Sequence, residues 1–333
     1  MQGLNELCLG KETFSEEILN WISENKLWNI WLPKSHGGLE CTLGEGLQKL
    51  RKLSKADGSL GWTVTLCSGA NFFFGNLKKD VADIIFLNSN EPVCFGGSGG
   101  VFGTAEKQGE GYIISGTWKY ATGAPHLSHF TLNAKITENG QTLKNEDGTD
   151  VVRSFVMSRE AVEIIPDWNA MGLKATATHS FQVKEKWVHH EYSFLYNEVY
   201  HDASIFKIDF SVFADVTLWV NYIGMADGFF NEAKTVQPHI TLLEDLESAI
   251  AAADNALNKY VIQIEETVNS GGDFSGKWVA KIHNDASNSV KALSKAIIEL
   301  FPMLGIRACN ENENINRIFK DYFTATQHRN FTR

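Results

Sequence analysis

The chain has 333 residues, 43% of them hydrophobic and 21% charged, enough to bury one large core or several smaller ones. A formal net charge of −10 without any basic stripe excludes a nucleic-acid or anionic-membrane surface, which needs clustered Lys and Arg. The cysteines (Cys8, Cys41, Cys67, Cys94, Cys309) lie far apart with no Cys-x-x-Cys, which indicates neither a zinc knuckle nor a disulfide framework and points to a reducing cytoplasm. The N-terminus shows no signal-peptide order, and no apolar run approaches the roughly 20 residues that cross a bilayer.

Residues 13–88 read as helices. Thr13 stands three positions before Glu16 in capping-box spacing, and Phe14, Ile18, Trp21 and Ile22 form an apolar stripe. "PKSHGG" (33–38) breaks the pattern. A second stripe runs through Leu43, Leu47, Leu50 and Leu53, and a third helix covers Lys78 to Leu87. From Pro92 to about Tyr192 the period becomes two: Tyr112, Ile114, Trp118 and Tyr120 alternate with polar residues, as do Phe130, Leu132, Ala134 and Ile136. A polar hairpin tip, "ENGQTLKNEDGTD", leads to the strand "VVRSFVM", and Phe181, Val183 and Trp187 mark one more. After roughly residue 204 the helical period returns. Leu243, Leu246, Ile250, Ala253, Leu257, Tyr260 and Ile264 form one seam, and Ile282, Ala286, Val290, Leu293, Ile297 and Leu300 a matching one. The expected class is α+β: an N-terminal helical domain (1–91), a barrel-like antiparallel β domain (92–192) and a C-terminal four-helix bundle (193–333).

The glycine run "GGSGGVFG" (96–103) does not match G-x-G-x-x-G, because Phe102 stands where glycine is required, and no Lys-Ser/Thr follows as in a P-loop. It reads as a loop, either merely flexible or lining a ligand. His126, His129 and the pair His189-His190 show no metal-ligand spacing. Arg317 and Asp321, at i,i+4 on the last predicted helix, read as an exposed ion pair worth about 0.3–0.5 kcal/mol. His328, on or just beyond that helix, is open to a structural or a catalytic reading.

Five stretches in order, "LPKSHGGLE" (32–40), "ADGSLGW" (56–62), "GYIISGTWKYATGAPH" (111–126), "MGLKATATHSFQV" (171–183) and "NRIFKDYFTATQH" (316–328), resemble the acyl-CoA dehydrogenase superfamily across nearly the whole chain. The resemblance implies a flavin, FAD or FMN, between the β domain and the C-terminal bundle. Thr122 would donate to the N5 region, Trp118 and Tyr120 would anchor the strand, and the backbone of Gly123 would face the ring. Phe95, Gly97 and Ser98 match a second flavin-lining segment.

A dehydrogenase needs a carboxylate base. The two family positions for it fall here on or next to Arg329 and near Ala214; an arginine cannot serve, and Asp209 and Asp215 are left as stand-ins. The hydroxylating branch of the family fits better, through "WKYATGAPH" and "KDYFTATQH". It implies a two-component monooxygenase that takes reduced flavin from a separate reductase and passes oxygen to a small aromatic or heteroatom substrate, with His328 acting on the substrate. His126, Asn71 and Arg329 would lie on the substrate side, Asn71 replacing a histidine common in the hydroxylases. The alternatives are an acyl-CoA dehydrogenase and a catalytically degenerate ligand-binding member. The family's "R-x-x-F-G" is missing where "AKTVQPHI" stands, which makes FMN or loosely held flavin plausible, and relative to the family the chain begins late. The family also implies assembly through the C-terminal helices, as a homodimer or homotetramer.

Overall fold

The structure, a computed structural model, describes residues 4–332. After the short α1 (Leu4–Cys8), the helix α2 (Glu16–Glu24) is opened by Ser15 and not by Thr13, the Ser15 hydroxyl accepting from the Ile18 N–H at 3.4 Å. A complete capping box of Thr42 and Glu45 starts α3 (Leu43–Ala56), whose leucines at 43, 47, 50 and 53 are all buried. Asp57 then caps α4 (Gly58–Asn71), a helix buried on almost every side and therefore without an amphipathic period to betray it. The helix α5 (Lys79–Leu87) completes the N-terminal layer.

Among the described residues eight strands form one sheet: β1 (Phe95–Gln108), β2 (Gly111–Ala121), β3 (His129–Glu138), β4 (Gln141–Thr142), β5 (Val152–Ser158), β6 (Glu163–Ile165), β7 (His179–His189) and β8 (Ser193–Phe194). Their order, β6-β7-β2-β1-β3-β5-β8 with β4 on β3, runs from one end strand to another. The sheet is mixed, not purely antiparallel: β2 returns against β1, but the chain then crosses so that β3 lies parallel to β1 on its other side. The glycine run is not a loop. It is the first half of β1, bulged between Ser98 and Gly103 where it pairs with β3. Gly97 is bare because β3 passes so near that a Cβ there would fall 1.8 Å from the Thr131 carbonyl oxygen.

Trp118 is fully buried, donates from Nε1 to the Asn133 carbonyl at 2.9 Å and stacks on Phe181. Tyr120 is no anchor: a register shift between Trp118 and Ala121, with φ +70° at Tyr120, turns its ring outward to 63% exposure.

The C-terminal layer comprises α6 (Phe210–Val236), α7 (Leu242–Asn269), α8 (Gly276–Leu300), α9 (Asn314–Ala325) and the final turn α10 (Arg329–Thr332). Both expected seams, on α7 and α8, are buried at every position named. No helix among the described residues is long and apolar enough to cross a membrane.

Asp321 makes no ion pair with Arg317, whose Nε donates to the Glu311 carbonyl. The aspartate is buried instead and accepts from the Leu173 N–H at 2.5 Å, with Gly58 and the Asp57 cap beside it, so α4, the segment before β7 and α9 meet at this point. Burial, and then the Asp57 charge, push the Asp321 carboxyl up to about 8; burial raises Asp57 to about 6 against the pull of its Leu60 and Ser59 N–H donors. Between the ordinary value of 3.8 and about 8, the unfolded chain gives up the Asp321 proton while the fold keeps it, so stability falls as pH rises. Asp321→Asn keeps the acceptor for Leu173 and is expected to gain stability over the native chain progressively across that window, by several kcal/mol at its upper end. Urea midpoints at acidic and mildly alkaline pH check this; an advantage independent of pH would contradict it.

Candidate active site

A cavity of about 310 Å³ opens where α4, the glycine half of β1, β3 and the start of α6 converge. It falls at the small end of small-molecule sites. Small residues make the room: Thr65, Gly69 and Ala70 on α4 face Ala214 and Thr217 on α6, with Gly96, Gly97 and Gly99 along the sheet side. Aromatic rings close it, with Phe73 stacked on Tyr196 (5.0 Å, 5°) and Phe210 against both. Its polar lining is neutral hydroxyl, amide and imidazole, and among the described residues no Asp, Glu, Lys or Arg lines it.

Thr122 and His328, more than two hundred residues apart in sequence, both line this cavity. Thr122 is buried at the end of a chain of hydroxyls. Its Oγ1 lies 3.1 Å from that of Thr178, which lies 2.7 Å from that of Thr176, and Thr176 donates to the Leu173 carbonyl at 2.7 Å. Each hydroxyl has one proton, so the order follows: Thr176 donates to Leu173, Thr178 to Thr176 and Thr122 to Thr178. Thr122 is left with acceptor lone pairs on the cavity side, the reverse of the donor role expected for it.

His328 follows α9. Its ring packs edge-on to Trp62 at 5.5 Å, and its Nδ1 accepts from the Asn330 N–H at a long 3.4 Å, which puts the ring proton of the neutral form on Nε2. Burial lowers its pKa below the ordinary imidazole value, so the ring is neutral at neutral pH.

Gly97 and Ser98 line the cavity as well. Phe95 does not: it is fully buried between Phe86 and His129. Gly123 turns the chain at φ +75°, its N–H donating to the Thr176 carbonyl, and presents no open backbone to the cavity. Asn71 is excluded by its own hydrogen bonds, since its amide donates to the Trp28 and Val93 carbonyls and Asn29 and accepts from the Phe95 N–H. His126 lies half-buried in the turn Ala124–His126, and Arg329 is exposed; neither lines the cavity, whereas Asn330 does. Neither stand-in carboxylate faces it: Asp209 caps α6 through the Ser211 and Val212 N–H groups, and Asp215 is bound to His283 and Asn330. The aromatic wall, Asn330 and the hydroxyl chain behind Thr122 escaped the sequence reading. Only the triple "FFF" at 72–74 hinted at the first.

The residues present fit a planar flavin ring in one respect that can be checked directly: at Gly99 an added Cβ would meet no heavy atom within 4 Å, so that strand segment offers bare backbone to open space.

Residues 213–333 match the family described as acyl-CoA dehydrogenase, C-terminal domain. The indole-3-acetate monooxygenase of Acinetobacter baumannii is 22% identical over 94% of this chain and 83% of its own length; that of Pseudomonas putida is 27% identical over 66% and 54%. Among solved structures, the HsaA monooxygenase from M. tuberculosis superposes with a TM-score of 0.88 at 18% identity, covering 98% of this chain and 88% of its own. XiaF from Streptomyces sp., solved in complex with FADH2 and glycerol, gives 0.88 at 17% identity, covering 99% and 89%. Over residues 213–333 the chain is similar to the acyl-CoA dehydrogenase family, the structures it superposes on share its fold along nearly its whole length, and the relatives it resembles include flavin-dependent monooxygenases.

Proposed function

We propose that the chain is the oxygenase component of a two-component flavin-dependent monooxygenase, working with reduced FAD or FMN from a separate reductase on a small, uncharged aromatic or heteroatom-bearing substrate. The observation that carries this reading is the cavity shared by Thr122 and His328, lined by aromatic rings and free of carboxylates among the described residues. A dehydrogenase base has no candidate there, since both acids near the start of α6 are engaged elsewhere. The neutral lining suits an uncharged substrate, and the aromatic wall a flat one.

Reduced flavin, when bound, supplies the electrons that activate dioxygen. Thr122 offers it a hydrogen-bond acceptor, which complements a ring N–H; the reduced flavin carries one at N5 and the oxidised flavin does not. His328, neutral and bearing its proton on Nε2, can donate a hydrogen bond to a substrate oxygen or ring nitrogen and orient it. The rings of Phe73, Tyr196, Phe210 and Phe213 keep water from the reacting atoms. The free thiols suit a reducing cytoplasm, and the exposed Ile262, Ile298, Met303 and Ile306 on and after α7 and α8 suit self-association into a homodimer or homotetramer.

The direct test supplies purified protein with reduced flavin and dioxygen and follows hydroxylated product from a panel of phenols and indole. Bleaching of oxidised flavin by an acyl-CoA, without such product, would favour the dehydrogenase instead. Thr122→Val is expected to weaken binding of reduced flavin about tenfold while leaving the weaker binding of oxidised flavin nearly unchanged, read by fluorescence titration under anaerobic and aerobic conditions. His328→Ala is expected to lower kcat at least about a hundredfold with little change in KM. The acid limb of the native pH–kcat profile should lie below the ordinary imidazole value and be absent in the variant; an unaltered profile would remove His328 from the chemistry.

A further inference from the structure

The last turn of the chain carries two lining residues, His328 and Asn330, and something must hold it against the cavity. Phe331 is one anchor. It is 2% exposed and packs on Tyr222 at 5.9 Å, while the Tyr222 hydroxyl donates to the Ala325 carbonyl just upstream. The other anchor is ionic. The Asn330 Nδ2 donates to Asp215 Oδ1 at 2.6 Å, and the Nδ1 of His283 on α8 stands 3.2 Å from both Asp215 oxygens. The Asp215 side chain is only 4% exposed and follows the cavity-lining Ala214 on α6; His283 reaches it from the surface, its ring lying 5.7 Å from that of Phe331. Placing a carboxylate within so apolar a helix costs free energy that an apolar side chain of similar size avoids, so packing alone does not account for it.

Resting on the assignment of His328 to the chemistry of the cavity, we infer that Asp215 and His283 are positioning residues. Together they form a buried carboxylate–imidazole clamp that fixes Asn330 and, through the Asn330 N–H on Nδ1, sets the tautomer and orientation of the His328 ring. The clamp touches neither substrate nor cofactor. Its effect is on how well the last turn is held.

The test uses the full chain and two readouts. Hydrogen exchange across residues 326–332, followed by mass spectrometry, is expected to quicken about tenfold in His283→Ala and Asp215→Ala, with the seams of α7 and α8 unaffected. With reduced FMN, dioxygen and indole as the probe substrate, kcat is expected to fall about tenfold in the same variants while KM stays within about threefold. His283→Gln retains a side-chain donor for Asp215 and is expected to restore both. Unchanged exchange in folded His283→Ala overturns the clamp, as does a loss of kcat that His283→Gln fails to rescue. Should Asp215→Ala not fold, the half-exposed His283 variants decide. A native chain that yields no oxygen-dependent product sinks the monooxygenase reading, while the exchange comparison still rules on the clamp.

Discussion

Covering α6 is the constraint from which the rest of the architecture follows. From Val212 to Phe229 almost every side chain of this helix is buried, Trp219 and Tyr222 completely. Each large apolar side chain so buried stabilises the fold by about 1.5–3 kcal/mol, which a helix left open on any side would forfeit. So α3, α7, α8 and α9 all pack on it. Arg51 of α3 fixes their angular placement, its guanidinium reaching Asp227 of α6 at 2.8 Å and Asp254 of α7 at 2.6 Å, a forked geometry that lysine could not reproduce. Near the N-terminus of α6, where Ala214 and Thr217 stand in place of large residues, the packing leaves room for a ligand.

This central position also explains which parts of the fold were legible. A helix with one wet face writes its burial into the sequence as a stripe, and the seams of α7 and α8 were readable residue by residue. Neither α4 nor α6 has a wet face. The apolar residues of α4 therefore show no period, and although residues 13–88 read as helices no separate helix was placed there. The sheet failed in a similar way. Alternation reports that a strand is half-buried and says nothing of its partner's direction, so the parallel pairing of β1 and β3 was invisible. β3 buries Thr131 and Asn133 as well as its apolar face, and the bulge at Tyr120 reverses a side chain that strict alternation would send inward.

At the site, the legible residues were those whose type is unusual for its place: a threonine ending a strand of large residues, a histidine closing the last long helix. Residues whose role depends on distant partners were misjudged. Asn71 reads as polar and available, yet four hydrogen bonds to two separate segments hold its amide inside the core. Asp321 reads as half of a helical ion pair, because i,i+4 spacing is local and its true partner, the Leu173 N–H, is 148 residues away. The aromatic wall comes from scattered positions on the turn after α4, on β8, on α6 and on the segment between β8 and α6, and no sequence pattern gathers them.

The two misread acids, Asp321 and Asp215, turn out to obey one rule. Asp321 holds the Leu173 N–H; the Leu173 carbonyl receives the Thr176 hydroxyl, and the hydroxyl chain from there ends at Thr122. Asp215 holds the Asn330 amide, and the next contact along is His328. Each buried carboxylate therefore stands one layer behind the cavity and governs a neutral group on its wall. A charge in the wall itself would draw water in and compete with a weakly polar ligand, whereas a buried carboxyl group behind it orients a threonine or an imidazole while leaving the cavity apolar. Hydrogen bonds to these buried carboxyl groups are used for geometry, and the chemistry is left to neutral donors and acceptors whose protons have been directed in advance.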